Sequence, residues 1–326
     1  MTDSKGFNVR PPKSSDEVFS LWWPHMQSLG WNRSDRDHAT HWHSSRGGYL
    51  VLTHKDDADS PSEAEARPVG LILPIIYPNK TGWVGFFIVN EAYRGTGGGR
   101  ILFQAALDAF ERHGVERVGL DGVLQQVPTY QRRGFVEKGR VKLMVTKSVR
   151  ELAVPAEPSE ALEALARLVP LRDVKPAAVA ALDEKMTGLR RTSLWTDEFL
   201  VSRSDAWGSA IEGEDGEVLA FVLVRSCEHG YRIGPLYAAR KTWARALLLG
   251  VMNKVKGLGT EAEDKSLIAE AWGGNPDAVG LFEDLGWEYS GIDYARMWLG
   301  GRDTDAQRKG GSAEKEAFAW FDASEG

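Results

Sequence analysis

At 326 residues, with 42% hydrophobic, 10% aromatic and 26% charged residues, the chain has the make-up of a folded globular protein of about two domains, neither disordered nor fibrous. The net charge of −6 gives no support to wholesale nucleic-acid binding, and a single cysteine, Cys227, excludes an internal disulfide and a cysteine-rich zinc site. No apolar run approaches the ~20 residues of a membrane span, and the opening residues lack the apolar core of a signal peptide, so a reducing, cytoplasmic setting is the expectation.

In chain order, Phe19, Trp22 and Trp23 of "VFSLWWPHMQSLGW" fall at helical spacing and predict a short helix. "GGYLVLTH" at 47–54 reads as a strand, and the acidic stretch 55–68 as an exposed loop. "VGLILPIIY" and "GWVGFFIV" around "PNKTG" predict a hairpin with Gly82 in its turn. Phe103, Ala106, Leu107 and Phe110 recur at i, i+3, i+4 and i+7, which predicts a helix closing at His113-Gly114. A strand follows at "VERVGLDGV", a short helix around Tyr130 and a strand at "GFVEKGRVKLMVTK". Ala, Glu and Pro dominate 151–163, the composition of a linker or surface helix. Beyond it, "VLAFVLV", "YRIGPLYA" and "LIAEAW" read as strands, "TWARALLLGVMNKVKGLG" as an amphipathic helix and "NPDAVGLFEDLGW" as a closing helix. "VPTYQRRGF" and "DAVGLFEDLGW" end alike, in Gly134-Phe135 and Gly286-Trp287, so an internal duplication is the economical reading. Residues 301–326 are polar and glycine-rich and are expected to form a mobile tail in which "FAWF" docks locally.

The chemistry concentrates in "EAYRGTGGGRILF" at 91–103. A glycine-rich turn between an apolar strand and a helix offers successive backbone N–H groups and the positive end of the helix dipole to an anion, phosphate above all. Neither G-x-G-x-x-G nor the Walker pattern fits, since the sixth position from Gly95 is Arg100 and no G-K-[ST] follows. R-x-x-G-x-G does fit, with Arg94, Gly97 and Gly99, and glycine there avoids the ~1–2 kcal/mol that a side chain costs in left-handed geometry. Arg132, Arg133, Lys138 and Arg140 add positive charge nearby in sequence. His38, His41 and His43 complete no familiar ligand spacing, and no metal is expected.

The run from "GFFIVNEAYRGTGGGRILFQAAL" into "LDGVLQQVPTYQRRGF" resembles the acetyl-coenzyme A motif of the GNAT N-acetyltransferase superfamily. "LGWN", "GLDGV", "YQRRGF", and later "IGPLYA", "NPDA" and "ARM", look like a two-domain subfamily of it, over roughly residues 15 to 300. The resemblance implies a tandem fold of mixed α/β units, an N-terminal GNAT domain at 8–150 with the cofactor site, a linker at 151–163, a degenerate GNAT-like domain at 164–300 and a tail at 301–326. The two halves would pack as a pseudo-dimer within a monomer. Phe87, Ile88 and Val89 would pair with the pantetheine arm, and the pyrophosphate would sit over Arg94, Gly95, Thr96, Gly97, Gly98, Gly99 and Arg100. Tyr130 stands where the family places the acid that protonates the leaving sulfur; Asp121 and Asp37 are candidates for the base or for orienting the substrate. Trp31, with Asn32 and Asp37, falls in the region that covers the acceptor. Acetyl transfer from acetyl-coenzyme A to a small-molecule amine by direct attack is the expectation, since no cysteine in the first half could carry the acyl group. A non-catalytic acyl-coenzyme A sensor or scaffold, and a protein or peptide lysine acetyltransferase, are the alternatives. The second half is expected to have lost its site, with Phe282 at the place of Tyr130 and "ARKTWARALLL" at the place of the glycine loop. Asp183, Arg190 and Arg191 are read as contributors to the acceptor pocket or as surface residues.

Overall fold

The alternating and 3.6-residue patterns become strands and helices in a computed structural model that describes residues 6–55, 66–152, 159–198 and 203–326. Two units result, one of residues 1–118 with Glu325, the other of residues 119–324 with Gly326. The first carries β1 (Phe7–Arg10), α1 (Ser15–Ser28), α2 (Asp37–Ser44), β2 (Leu50–His54), β3 (Arg67–Ile76), β4 (Thr81–Val89) and α3 (Gly98–Arg112). Its strands pair antiparallel in the order β1-β2-β3-β4. Helix α1 starts where the Ser14 side chain accepts the Glu17 N–H, with Asp16 and Glu17 in the first turn, and buries Val18, Trp22 and Met26 as one stripe. Helix α3 buries Leu102, Phe103, Ala106, Ala109 and Phe110, and Gly114 leaves it in left-handed geometry.

Two details of the hairpin differ from expectation or go beyond it. The left-handed turn residue is Lys80 (φ 58°), and Gly82 lies in the strand itself, where a Cβ would stand 2.6 Å from the Phe110 ring; close packing of α3 is what requires glycine there. In β4, Gly85 pairs with Leu73 and Ile88 with Leu71, so Phe86 and Phe87 together oppose Ile72 alone. This is a β-bulge, with Phe86 held at φ 46°.

The bridge to the second unit is β5 (Arg117–Val123), and there follow α4 (Val127–Gln131), β6 (Phe135–Thr146), α5 (Ser159–Ala166), β7 (Val169–Pro170), α6 (Pro176–Thr187), β8 (Ala206–Glu212), β9 (Val218–Cys227), β10 (Gly230–Ala238), α7 (Lys241–Gly257), α8 (Thr260–Glu263), β11 (Ser266–Trp272), α9 (Pro276–Glu283), β12 (Glu288–Leu299), α10 (Ala313–Glu316) and β13 (Ala317–Trp320). The strand order is β5-β12-β6-β11-β13-β10-β9-β8-β7, with a parallel pairing of β10 with β11 and antiparallel pairings elsewhere, which makes the sheet mixed. The expected break at 151–163, of which 153–158 lie outside the described residues, does not part these strands. β6 lies on its N-terminal side and pairs with β11 and β12, and β12 in turn pairs with β5.

The expected mobile tail at 301–326 is corrected. Its "AFAW" is β13, every residue of that strand is buried, and Phe318 and Ala319 join one apolar cluster while Ala317, Trp320 and Phe321 join another. Buried aromatic area of this kind, at ~1.5–3 kcal/mol per large side chain, holds a short strand that polar flanking residues alone would not.

Candidate functional site

The glycine loop ends at Gly97, the N-cap of α3, in left-handed geometry (φ 103°). Gly97 has no side chain to cap the helix, the first turn contains no acid, and Arg94, Gly95, Thr96, Gly97 and Arg100 are all exposed. The glycines are not equivalent. A Cβ at Gly95 or Gly97 would meet nothing within 4 Å, whereas one at Gly98 would press on Phe7 and Leu52 at 2.8 and 2.9 Å, and one at Gly99 would touch Phe87 and Val89 at 3.4 Å. Gly95 and Gly97 therefore keep an open face over the first turn, and Gly98 seats the helix on the sheet. Arg94 is aimed by its own hydrogen bond, Nε to the Val89 carbonyl at 3.0 Å, and the Thr96 hydroxyl donates to Tyr93 O at 2.7 Å. Half-buried His25 of α1 is held below its ordinary pKa by burial and then by the charge of Arg94, which places that cation near the end of α1. An uncapped helix start flanked by two arginines fits the phosphates of a coenzyme A.

Directly before this loop lies the bulge of β4. Ile88 is buried, Phe87 and Val89 are partly so, and the Phe87 ring packs edge-on against Phe103 of α3 (5.2 Å). A bulge leaves ladder groups of its strand unpaired and re-aims the backbone beside it. Phe86, its first residue, turns its ring to Trp22 (5.6 Å) and His41 (4.8 Å), with the Arg33 guanidinium 5.3 Å above it. Of the residues expected to cover the acceptor, Trp31 and Asn32 form the partly exposed link after α1, with Asn32 at φ 42°, and Asp37 opens α2 fully buried.

Sequence reasoning missed the partners of α2. His38 Nε2 and Ser15 Oγ are 2.8 Å apart, and burial, more than neighbouring His41, pushes the His38 pKa down to about 4. His41 Nδ1 lies 2.8 Å from Glu325 Oε1, with both side chains fully buried. A 3-residue histidine spacing on one helix was visible; nothing local pointed to a carboxylate 284 residues away.

In the second unit, Tyr130 sits on the five-residue helix α4, its ring against Phe135 and so close over Gly122 that a Cβ there would be 2.6 Å from it. Burial raises the Tyr130 hydroxyl to a pKa of about 12. The side chain of Asp121, a candidate base, is fully buried, and both its oxygens are engaged by Arg296 (Nε–Oδ1 2.9 Å, Nη2–Oδ2 2.5 Å). Asp121 and Arg296 are also register partners of β5 and β12, so the pair locks the strand on which Gly122 receives Tyr130. The basic cluster is partly spent internally, with Arg140 on Glu137 (2.5 Å) and Arg133 on the Thr129 carbonyl (2.8 Å). Asp183 and Arg191 are not surface residues but a buried pair (2.5 Å) joined by Tyr237 and the Gly326 carbonyl; Arg190 pairs with Glu184 at the exposed surface.

The counterpart of the first unit's loop is the start of α7. Arg240 there lies on Trp243 (4.9 Å) and pairs with Glu160, and Lys241 faces Asp277 and Asp284. Strands β10 and β11 pair in parallel from Gly230↔Ser266 to Ile233↔Ala269 and then part, and β13 fills the gap, antiparallel to both. Among the described residues no helix is long and apolar enough to cross a membrane.

Comparisons with known proteins agree with this geometry. The family profile described as "Acetyltransferase (GNAT) family" matches residues 15–135, and "Acetyltransferase (GNAT) domain" matches residues 179–271, together about two thirds of the chain. A holothin acyltransferase of Pseudoalteromonas sp. is 31% identical over 172 residues, which is 53% of this chain and about half (53%) of that relative's length. Among solved structures, a Pyrococcus horikoshii protein assigned to the acetyltransferases aligns over 99% of this chain and 96% of its own at 20% identity (TM-score 0.70). A tandem GNAT protein from the clavulanic acid biosynthesis pathway aligns over 92% of this chain and 100% of its own at 16% identity (TM-score 0.59). With two GNAT matches in one mixed α/β chain, this protein belongs to the tandem GNAT acetyltransferases.

Proposed function

We propose that the chain is an acyl-coenzyme A-dependent N-acyltransferase that moves an acetyl group from acetyl-coenzyme A to the amine of a small molecule, with one coenzyme site per chain. The observation that carries this reading is the uncapped, left-handed glycine start of α3 directly after a bulged β4, in a chain of this family. A relative that is a holothin acyltransferase supports acyl transfer.

In this reading the amine attacks the thioester carbonyl directly and the coenzyme thiolate departs. The N–H groups at Gly97, Gly98, Gly99 and Arg100, with the charges of Arg94 and Arg100, hold the pyrophosphate. Phe87, Ile88 and Val89 offer backbone to the pantetheine arm, and a bulge N–H near Val89 meets the oxyanion. Tyr130, at a pKa of about 12, stays protonated at any working pH. Full proton transfer to a thiolate of ordinary pKa ~8.5 is uphill for such a group, so its contribution is a hydrogen bond to the sulfur as charge develops there. Asp121 acts through Arg296 as a positioning residue that keeps Gly122 beneath Tyr130. Trp31, Asn32 and Asp37 belong to the acceptor side. The second unit takes no coenzyme, because its own β13 pairs where an arm would have to lie.

The test is thiol release from acetyl-coenzyme A across a panel of amines, together with calorimetric stoichiometry. Turnover with a small amine and a stoichiometry near one are expected. Saturable binding without turnover on any amine would leave a sensor in place of an enzyme, and a second saturable site would overturn the single-site assignment.

A further inference from the structure

The polar cluster behind the bulge of β4 is built too specifically for packing alone. Glu325 is fully buried, and its Oε1 accepts from His41 Nδ1 (2.8 Å) and from the Ser44 hydroxyl (2.5 Å). The Tyr77 hydroxyl donates to the Glu325 backbone carbonyl at 2.9 Å and lies 3.4 Å from Oε2. This is a buried imidazole–carboxylate contact, and its imidazole packs edge-on against Phe86, the bulge residue itself. We propose that His41 is the proton acceptor for the incoming amine and that Glu325 is the positioning residue that fixes its tautomer.

This rests on the acyl-transfer reading above. A carboxylate on Nδ1 keeps the proton there and leaves Nε2, on the other side of the ring, as the basic nitrogen. An amine arrives as an ammonium ion, and one proton passes to Nε2 of His41. The freed lone pair forms the C–N bond at the thioester carbonyl and the C–S bond breaks, its electron pair leaving on sulfur. The second N–H proton, lost as the amide forms, balances the one that sulfur takes up; Glu325 remains a carboxylate throughout. The His41 side chain is fully buried and closed to bulk water. The charged and titratable groups around it are Glu325, Tyr77 at the end of β3, Asp37 and His38 on α2, and Arg33 over Phe86. Of these, Glu325 lies in hydrogen-bond contact with Nδ1.

The decisive variants are His41→Asn, whose side-chain amide can still donate to Glu325 but can take no proton, and Glu325→Gln. His41→Asn should lower kcat by about a hundredfold or more, the low end for a general base, with acetyl-coenzyme A affinity of the folded protein close to wild type and a melting temperature lowered by the lost ring, and should abolish the acid limb of kcat/KM. Glu325→Gln should lower kcat with acetyl-coenzyme A affinity unchanged and release the tautomer, because an amide in place of the carboxylate no longer requires a proton on Nδ1. Wild-type turnover with an unchanged acid limb in His41→Asn would overturn the proposal and leave the cluster as a packing latch. Nitrogen NMR of the unliganded protein gives a readout free of turnover: the Nδ1–H tautomer of His41 is expected, and the Nε2–H tautomer would overturn the positioning role. Absence of thiol release in wild type with every amine would instead count against the acyltransferase reading, while the NMR result still decides the tautomer.

Discussion

Alanine at three successive glycines separates the loop's binding role from its folding role. Gly97→Ala places a side chain at φ 103°, a strain of ~1–2 kcal/mol, but its methyl meets no neighbour and projects over the open face of the loop. Gly98→Ala drives a methyl to 2.8 Å from Phe7 and 2.9 Å from Leu52, and overpacking of that kind costs ~1–3 kcal/mol of fold stability. Gly99→Ala makes 3.4 Å contacts with Phe87 and Val89 and replaces glycine inside a helix, which favours alanine by ~0.5–1 kcal/mol, so it should be close to neutral. With ~2–4 °C per kcal/mol for a chain of this size, Gly98→Ala should melt several degrees lower and bind coenzyme almost normally once folded. Gly97→Ala should lose at least tenfold in acetyl-coenzyme A affinity, ~1.4 kcal/mol, for a smaller loss of melting temperature. Calorimetric titration and thermal melts on the three proteins decide it. If Gly97→Ala binds like wild type, or if affinity in all three merely follows melting temperature, the loop is not the phosphate site.

Other consequences are as direct. Tyr130→Phe should lower turnover at least tenfold with cofactor affinity intact, and unchanged turnover would leave Tyr130 a packing residue. The same variant has a pH signature: the folded hydroxyl ionises at about 12 and the unfolded one near 10, so stability present below pH 10 declines as pH rises from 10 toward 12, by up to ~1.4 kcal/mol per unit. Alkaline melts of Tyr130→Phe should fall less steeply than wild type, and parallel curves would refute the burial argument. Arg296→Met strands the buried Asp121 charge and should cost ~3–5 kcal/mol in a denaturant titration; a change under 1 kcal/mol would mean that Asp121 is readily protonated or solvated. Gly234→Ala would set a Cβ into the Trp320 carbonyl oxygen, so amide exchange at 317–320 should accelerate, and unchanged protection would show that β13 can shift to make room.

What the sequence discloses about the site follows the range of the interaction. The loop, its arginines and the helix after it are local, and glycine spacing with an apolar period suffices to find them. "GLDGV" is conspicuous as a motif, yet its two polar meanings are not local: Asp121 answers Arg296, 175 residues on, and Gly122 makes room for a ring eight positions later. An acidic residue in a strand beside a suspected acid invites a catalytic role when its partner is unseen, and a bidentate arginine gives it a structural one. Glu325 is the reverse case, an acid in a polar stretch with no signal of its own, which only the fold brings to His41.

The error over residues 301–326 came from averaging. Over 26 residues, glycine and charged or polar side chains together dominate, but "AFAWF" is a continuous apolar run of five, the pattern of a strand buried on both faces, not of an amphipathic one. β13 is such a strand: Phe318 enters one apolar cluster and Trp320 the other, and its backbone pairs on both sides. Without it, β10 and β11 would part beyond Ile233 and Ala269 with two facing edges of unpaired N–H and C=O groups. On the reading proposed above a coenzyme arm would need such a gap; here a covalently attached strand supplies the backbone pairing at no cost in association entropy, so a free cofactor would have to displace it. On the single-site reading proposed above, the second unit keeps the fold with this slot filled by its own strand, and Arg240 on Trp243 and buried Phe282 stand where that reading needs no glycine loop and no tyrosine.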